Sequence, residues 1–290
     1  MNVSQTIILG LVLGGVYALM ASGLTLLFGV MRIVNLAHGI FMLLAAYGSF
    51  FLFTEWGVDP FVSLIVTMPS MFLFGVLIHR FLFPRLEGSD RYSEMTVLLT
   101  FGLALVLEGL LGFFFTGIFR STSPAYATQS FFIGDLFIPK GQLYGAIASV
   151  LLLLALGAFL GYTKIGHAIQ ATSQNRTAAQ TVGVNVSRVS TIAFGVGMAL
   201  AGAAGSLMSY LFTFFPGQHW QWIAILLSLI VLGGLGSIRG AIIGALLLAV
   251  LAGMVSNAFG ATWSPMTFYL ALFVILLVRP RGLFGEKEAV

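Results

Sequence analysis

The 290-residue chain is 59% apolar and only 8% charged, with a mean hydropathy of +1.05, which excludes a soluble globular domain and leaves a membrane protein. Cysteine is absent, so helix packing rather than disulfides must hold the fold. The formal surplus of four positive charges reads as basic loops that orient spans, not as a nucleic-acid surface.

A spanning helix needs roughly 20 mostly apolar residues. In chain order, nine segments qualify: residues 5–30, 36–53, 60–82, 95–118, 142–162, 189–212, 220–234, 240–258 and 264–278. The count becomes eight or ten if a segment near 31–40 or 232–242 is broken or re-entrant. The first run is too long for the apolar region of a signal peptide and lacks a basic leader, so it is expected to remain as a span. The runs are continuous and rich in Leu, Ala and Gly, whereas barrel strands alternate over about ten residues. The predicted fold class is therefore all-α and polytopic, one transmembrane domain over residues 1–290 with a loop at 163–188, and no internal repeat is evident.

Charge sets the orientation. Arg32, Arg80, Arg85, Arg91, Lys164, Arg176, Arg188, Arg239, Arg279 and Arg281 fall on one side, which the positive-inside rule makes cytoplasmic together with the carboxyl terminus. Glu55, Asp59 and the loop at 119–141, with Arg120 and Lys140, fall outside, as does the amino terminus if the spans number nine.

Glycines cluster inside spans, where small residues let helices approach closely. In LGGLGSIRGAIIG, residues 232–244, Gly234, Gly236 and Ser237 lie between two short apolar runs; the pattern suits either a helix broken inside the membrane or a tight turn between two spans.

No metal cluster, nucleophile triad or phosphate-binding loop is present in the sequence, so no catalysis, metal or cofactor is expected, and energy for transport must come from an ion gradient or another polypeptide. An ion-coupled carrier would bury several ionisable groups, yet only Glu108, in LALVLEGLLGF, lies within a span. It is expected to be protonated, paired across helices or facing water, and serves either the permeation path or an interhelical hydrogen bond.

The segment TKIGHAIQATSQNRTAAQTVGVNVSRVS, residues 163–190, places Ile165, Ala168, Ile169, Thr172, Ala179 and Val182 at helical spacings, with Gly183 as a helix stop. One short amphipathic helix is predicted, with an apolar face too small for lipid and suited to a protein groove.

GLTLLFGVMRIVNLAHGIFMLLAAY, the loop from Gly166 to Asn185, VLGGLGSIRGAIIGA and the terminal RPRGLFG, in that order, resemble the permease subunits of ABC importers for branched-chain amino acids, the LivH type. Related importers carry urea, short amides or aromatic acids. The resemblance implies a bacterial inner-membrane protein with two cytoplasmic ATP-binding subunits, a second permease (a LivM-type chain or another copy) and a periplasmic or lipid-anchored solute-binding protein. It makes the helix from Gly166 to Gly183 the ATPase-coupling helix, with Asn175, Ala179 and Gly183 at family positions; His167 and Gln170 stand where members often have Arg, which shifts docking towards apolar and backbone contacts. NLAHG resembles a family signature, in which Asn35 and His38 satisfy backbone at a helix interruption or touch solute, and Gly39 permits close approach. The competing reading is a stand-alone ion-coupled carrier or channel working through Glu108.

Overall fold

The computed structural model describes residues 2–86, 89–134 and 136–284. Long apolar runs leave the backbone no partner in a membrane but itself, and the described residues form eleven α-helices and one β-hairpin. The helices are α1 (Val3–Met31), α2 (His38–Trp56), α3 (Pro60–Leu82), α4 (Tyr92–Phe115), α5 (Lys140–Tyr162), α6 (Lys164–Gln174), α7 (Arg176–Thr181), α8 (Val186–Leu211), α9 (His219–Gly233), α10 (Ile238–Phe259) and α11 (Ser264–Val278). Between α4 and α5, β1 (Ser130–Ile133) pairs antiparallel with β2 (Leu136–Pro139), Ser130 opposite Pro139. Eight of the helical segments among the described residues are long and apolar enough to cross a membrane. Of the nine expected spans the seventh, 220–234, is α9, 15 residues long and not among the eight, whereas α11 counts together with the turn before it, Ala261–Val278, 18 residues in all.

Contacts sort the termini into two ends. At the hairpin end, Gln5 hydrogen-bonds the backbone of Phe137, Asp59 meets Tyr126, and Arg120 pairs backbone to backbone with Phe214. At the opposite, basic end, Gly29 abuts Gly236, His79 meets Thr191, and Leu283 and Phe284 donate to the carbonyls of Leu232 and Gly233. The last Gly of RPRGLFG, at 285, lies outside the described residues.

These directions reveal a repetition that the sequence hides. In α1–α4 a long buried helix runs from the hairpin end to the basic end, the chain then breaks, a shorter helix starts inside the bundle, and two further helices follow. The helices α8–α11 follow the same plan in the opposite direction, so the fold is an inverted repeat with α5–α7 between its halves. The two long helices cross at Gly23 and Gly197, where a Cβ on Gly23 would stand 2.7 Å from the Gly197 carbonyl oxygen. The outer contacts match: α1 lies on α10 through Gly10 and Gly14, and α8 on α3 through Gly195 and Gly202. In a bilayer the gain is close van der Waals packing, which small residues permit.

Buried hydroxyls tie α2, α3 and α8 together. Thr67 and Ser206 are 2.7 Å apart, Ser49 and Ser63 2.8 Å, and Ser49 and Ser209 3.3 Å. Such bonds contribute about 0.6 kcal/mol each in a membrane, so they set the register of the helices more than they stabilise the fold.

Candidate functional site

The segment between α5 and α8 folds as two helices, not the single helix from Gly166 to Gly183 expected from its spacing. Thr163 opens α6: its Oγ1 accepts from the Gly166 amide at 2.9 Å. Gly166 itself is buried, and a Cβ there would collide with the Phe159 carbonyl oxygen, so glycine lets the chain reverse tightly out of α5. Asn175 is the break. Its backbone is extended (φ −150°, ψ 105°), and its Oδ1 accepts from the Ala178 amide at 2.9 Å, capping α7. Asparagine competes with helix in this way because its short amide mimics a turn. The segment then turns at Gly183, φ +87°, before Asn185 caps α8 through the Arg188 amide.

The apolar face is also divided differently from the expectation. Ile169, Thr172 and Ala179 are buried within this chain, whereas Ile165 and Val182 are exposed, Val182 at 79%. Ala179 therefore supports the turn instead of facing outward. The outward surface is Gln174, Asn175, Thr177, Ala178, Gln180 and Val182, a small polar knob with one apolar tip.

The second constellation is the interior junction. After α1, Arg32 adopts a left-handed conformation (φ 53°) and residues 32–37 run back into the bundle without helix. Asn35 stabilises this stretch: its Oδ1 accepts from the Ala37 amide at 3.1 Å and its carbonyl from the His38 amide at 3.2 Å, and the side chain is fully buried. His38 starts α2 against Gly23 of α1, eight residues before that helix ends, or about 12 Å inside at 1.5 Å per residue. Gly39 in turn lies against His219, the first residue of α9. The first turns of two helices thus meet inside the bundle.

One face of α4 spans both interruptions. Thr100 Oγ1 accepts from the Leu36 amide at 3.3 Å, and two turns further on Glu108 Oε2 accepts from His219 Nε2 at 3.1 Å and Trp220 Nε1 at 3.2 Å. Of the three states expected for Glu108, pairing across helices is what the structure contains, and its side chain is still 29% exposed. His219 and Trp220 were missed by sequence reading; the signal available was Pro216-Gly217 directly before an apolar run too short to span.

Gly234, Gly236 and Ser237 stand apart from this junction. They form the turn between α9 and α10 at the basic end, with φ of +103° and +83° at the two glycines and Ser237 Oγ accepting from the Gly240 amide at 3.1 Å. Of the two readings of this stretch, the tight turn is what forms, held by the backbone amides of Leu283 and Phe284.

A cavity of about 390 Å³ also opens at the hairpin end between α1, α5, α10 and α11, rimmed by Thr6, Gln142, Ser256, Asn257 and Ser264 above Tyr17. No sequence motif marks it. Nearby, Tyr126 donates to Asp59 Oδ1 at 3.2 Å; burial, then the Asp59 charge and this bond, push its phenol well above the ordinary value.

Over residues 6–278 the chain matches the family described as branched-chain amino acid transport system, permease component. It is 27% identical to the high-affinity branched-chain amino acid transport system permease protein LivH of Escherichia coli (strain K12), over 96% of this chain and 94% of the relative. It is 26% identical to BraD, the corresponding permease protein of Pseudomonas aeruginosa, over 98% and 96%. It is also 27% identical to a probable LivH of Methanocaldococcus jannaschii, over 92% and 88%. No solved structure matches. A multi-pass helical bundle, a polar two-helix segment at its basic end and a family match across almost its whole length place this chain in the permease-component family of branched-chain amino acid transport systems.

Proposed function

We propose that this chain is the membrane permease subunit of a binding-protein-dependent ABC importer for branched-chain amino acids. The observation that carries the reading is the family match over residues 6–278, and relatives along nearly the full chain are named as permease proteins of high-affinity branched-chain amino acid transport systems. Two cytoplasmic ATP-binding subunits, a second permease and a solute-binding protein complete the transporter.

The division of labour follows from the two constellations. The basic end, with Arg80, Arg85, Arg91, Lys164, Arg176 and Arg188, faces the cytoplasm of a bacterial inner membrane, and the carboxyl terminus lies there too. The α6–α7 knob, shaped by Gly166, Asn175, Ala179 and Gly183, docks into an ATP-binding subunit and carries its closure to α5 and α8. The junction of Asn35, His38, Gly39 and Glu108 borders the translocation path. Because α2 and α9 both begin inside the bundle, a tilt of either helix opens one end while closing the other.

The test is reconstitution of the complete complex in proteoliposomes. Leucine uptake that requires ATP hydrolysis and the binding protein is expected. Accumulation of leucine by this chain alone, driven by a proton or sodium gradient, would establish the ion-coupled carrier instead.

A further inference from the structure

The inward face of α4 is a stripe of Thr96, Thr100, Ala104, Glu108 and Leu111. Ala104 is fully buried and Leu111 is 4% exposed, yet Glu108 between them is 29% exposed. The two donors from α9 both engage Oε2, and Oε1 has no hydrogen-bond partner among the described residues. What lies beside Oε1 is Gly217, where even an added Cβ would stand 3.5 Å away. Glu108 is seven residues inside the hairpin-end terminus of α4, about 10 Å at 1.5 Å per residue. Hydrocarbon is a poor surrounding for an exposed carboxyl at that depth, and such groups face a water-filled cavity or a partner.

We propose that Glu108 opens onto the aqueous translocation path and that Oε1 is a transient subsite for the ammonium group of the transported amino acid. The inference rests on the importer reading above. A primary ammonium offers three N–H donors, and a carboxylate oxygen with free lone pairs accepts one at charge-assisted strength. His219 and Trp220 act as positioning residues: by holding Oε2 they fix the plane of the carboxyl and leave Oε1 outward. The surroundings suit the rest of such a solute. Phe101 lies one helix face with Glu108, half-exposed, its ring 5.5 Å from that of Trp220, so an aliphatic side chain has apolar surface beside the charge and the ammonium has aromatic faces.

The experiment uses the complete complex in proteoliposomes, with leucine as the probe. Glu108→Gln keeps size and an acceptor for His219 and Trp220 but removes the charge, and is expected to lower ATP-driven leucine uptake about tenfold. Gly217→Ala leaves the carboxyl and both its donors intact while narrowing the space at Oε1, and is expected to lower uptake severalfold. In the same complex, Glu108→Cys should react with a cationic, water-soluble thiol reagent, whereas Val106→Cys, on the opposite face of α4 and 60% exposed, should not. Wild-type uptake in both Glu108→Gln and Gly217→Ala overturns the subsite, and if Glu108→Gln fails to insert, Gly217→Ala decides alone. Equal reactivity at 106 and 108 overturns the aqueous path. A wild-type complex without ATP-dependent leucine uptake removes the importer reading and this inference together, whereas active wild type with unaffected variants removes only this one.

Discussion

Gly39, the second residue of α2, lies directly under the carbonyl of His219, the first residue of α9: a Cβ at position 39 would stand 2.6 Å from that oxygen. The two helices that begin inside the bundle therefore touch backbone to backbone. Gly39→Ala forces one of them to shift, and overpacking of this kind costs about 1–3 kcal/mol. A lower thermal midpoint of the detergent-solubilised protein is expected, with a larger loss for Gly39→Val. An unchanged midpoint for both would show that the junction is loosely packed.

Asn175 caps α7 through the Ala178 amide. Asn175→Ala removes that cap, at about 1 kcal/mol, and Asn175→Asp retains it. With the complete complex, Asn175→Ala should hydrolyse ATP with reduced leucine uptake per ATP, while Asn175→Asp should stay close to wild type. Ala179→Glu should be more severe, because it places a carboxylate where the methyl is 3% exposed and so disrupts the turn that presents the knob. Coupling ratios equal to wild type in Asn175→Ala and Ala179→Glu would detach this segment from the ATP-binding subunits.

The absence of cysteine makes topology directly measurable. Gln174 is exposed on the knob and Gly57 sits at the opposite end, between α2 and α3. Gln174→Cys should be modified by an impermeant thiol reagent only after the membrane is opened, and Gly57→Cys in intact cells. Modification of a cysteine at 174 from outside would reverse the orientation drawn from the basic residues.

Tyr126 ties the loop before the hairpin to the start of α3 through Asp59, which also accepts from the Phe61 amide at 2.8 Å. Since the folded phenol is raised above its ordinary value of 10.0, its contribution is whole below pH 10 and is lost as pH rises through the higher folded value. Tyr126→Phe should lower stability by about 1 kcal/mol at neutral pH. The phenolate absorbance missing from this variant in a pH titration should appear only above the range of a free tyrosine; its appearance near pH 10 would mean that the loop is not held against Asp59.

Hydropathy and charge are sums over neighbouring residues, and what depends on such sums was legible. Eight of the nine apolar runs became helices long enough to span, with bounds within a few residues, and the basic residues from Arg32 to Arg281 gather at one end except Arg120 and Lys140, which lie at the hairpin end. The family was legible for the same reason, since NLAHG, the loop after Gly166 and the glycine-rich turn at 232–244 are local patterns.

What the tertiary structure decided is where each helix lies in depth and which face it turns inward. The run at 220–234 looks like a short span, yet α9 starts inside the bundle because the chain returns from α8 through an extended stretch and Pro216-Gly217. Nothing near Glu108 in sequence names its partners, since His219 and Trp220 come from a helix more than a hundred residues away. The inverted repeat escaped because its halves run in opposite directions and need only small residues at corresponding crossings, a requirement that many sequences meet without resembling each other. Asn175 splits the segment between α5 and α8 for a related reason: helical periodicity continues in the spacing of Ile169, Thr172 and Ala179, while a single side chain capping its own backbone ends the helix. Composition placed this chain in a membrane, and local caps and long-range contacts that composition does not encode decided where its helices start and stop.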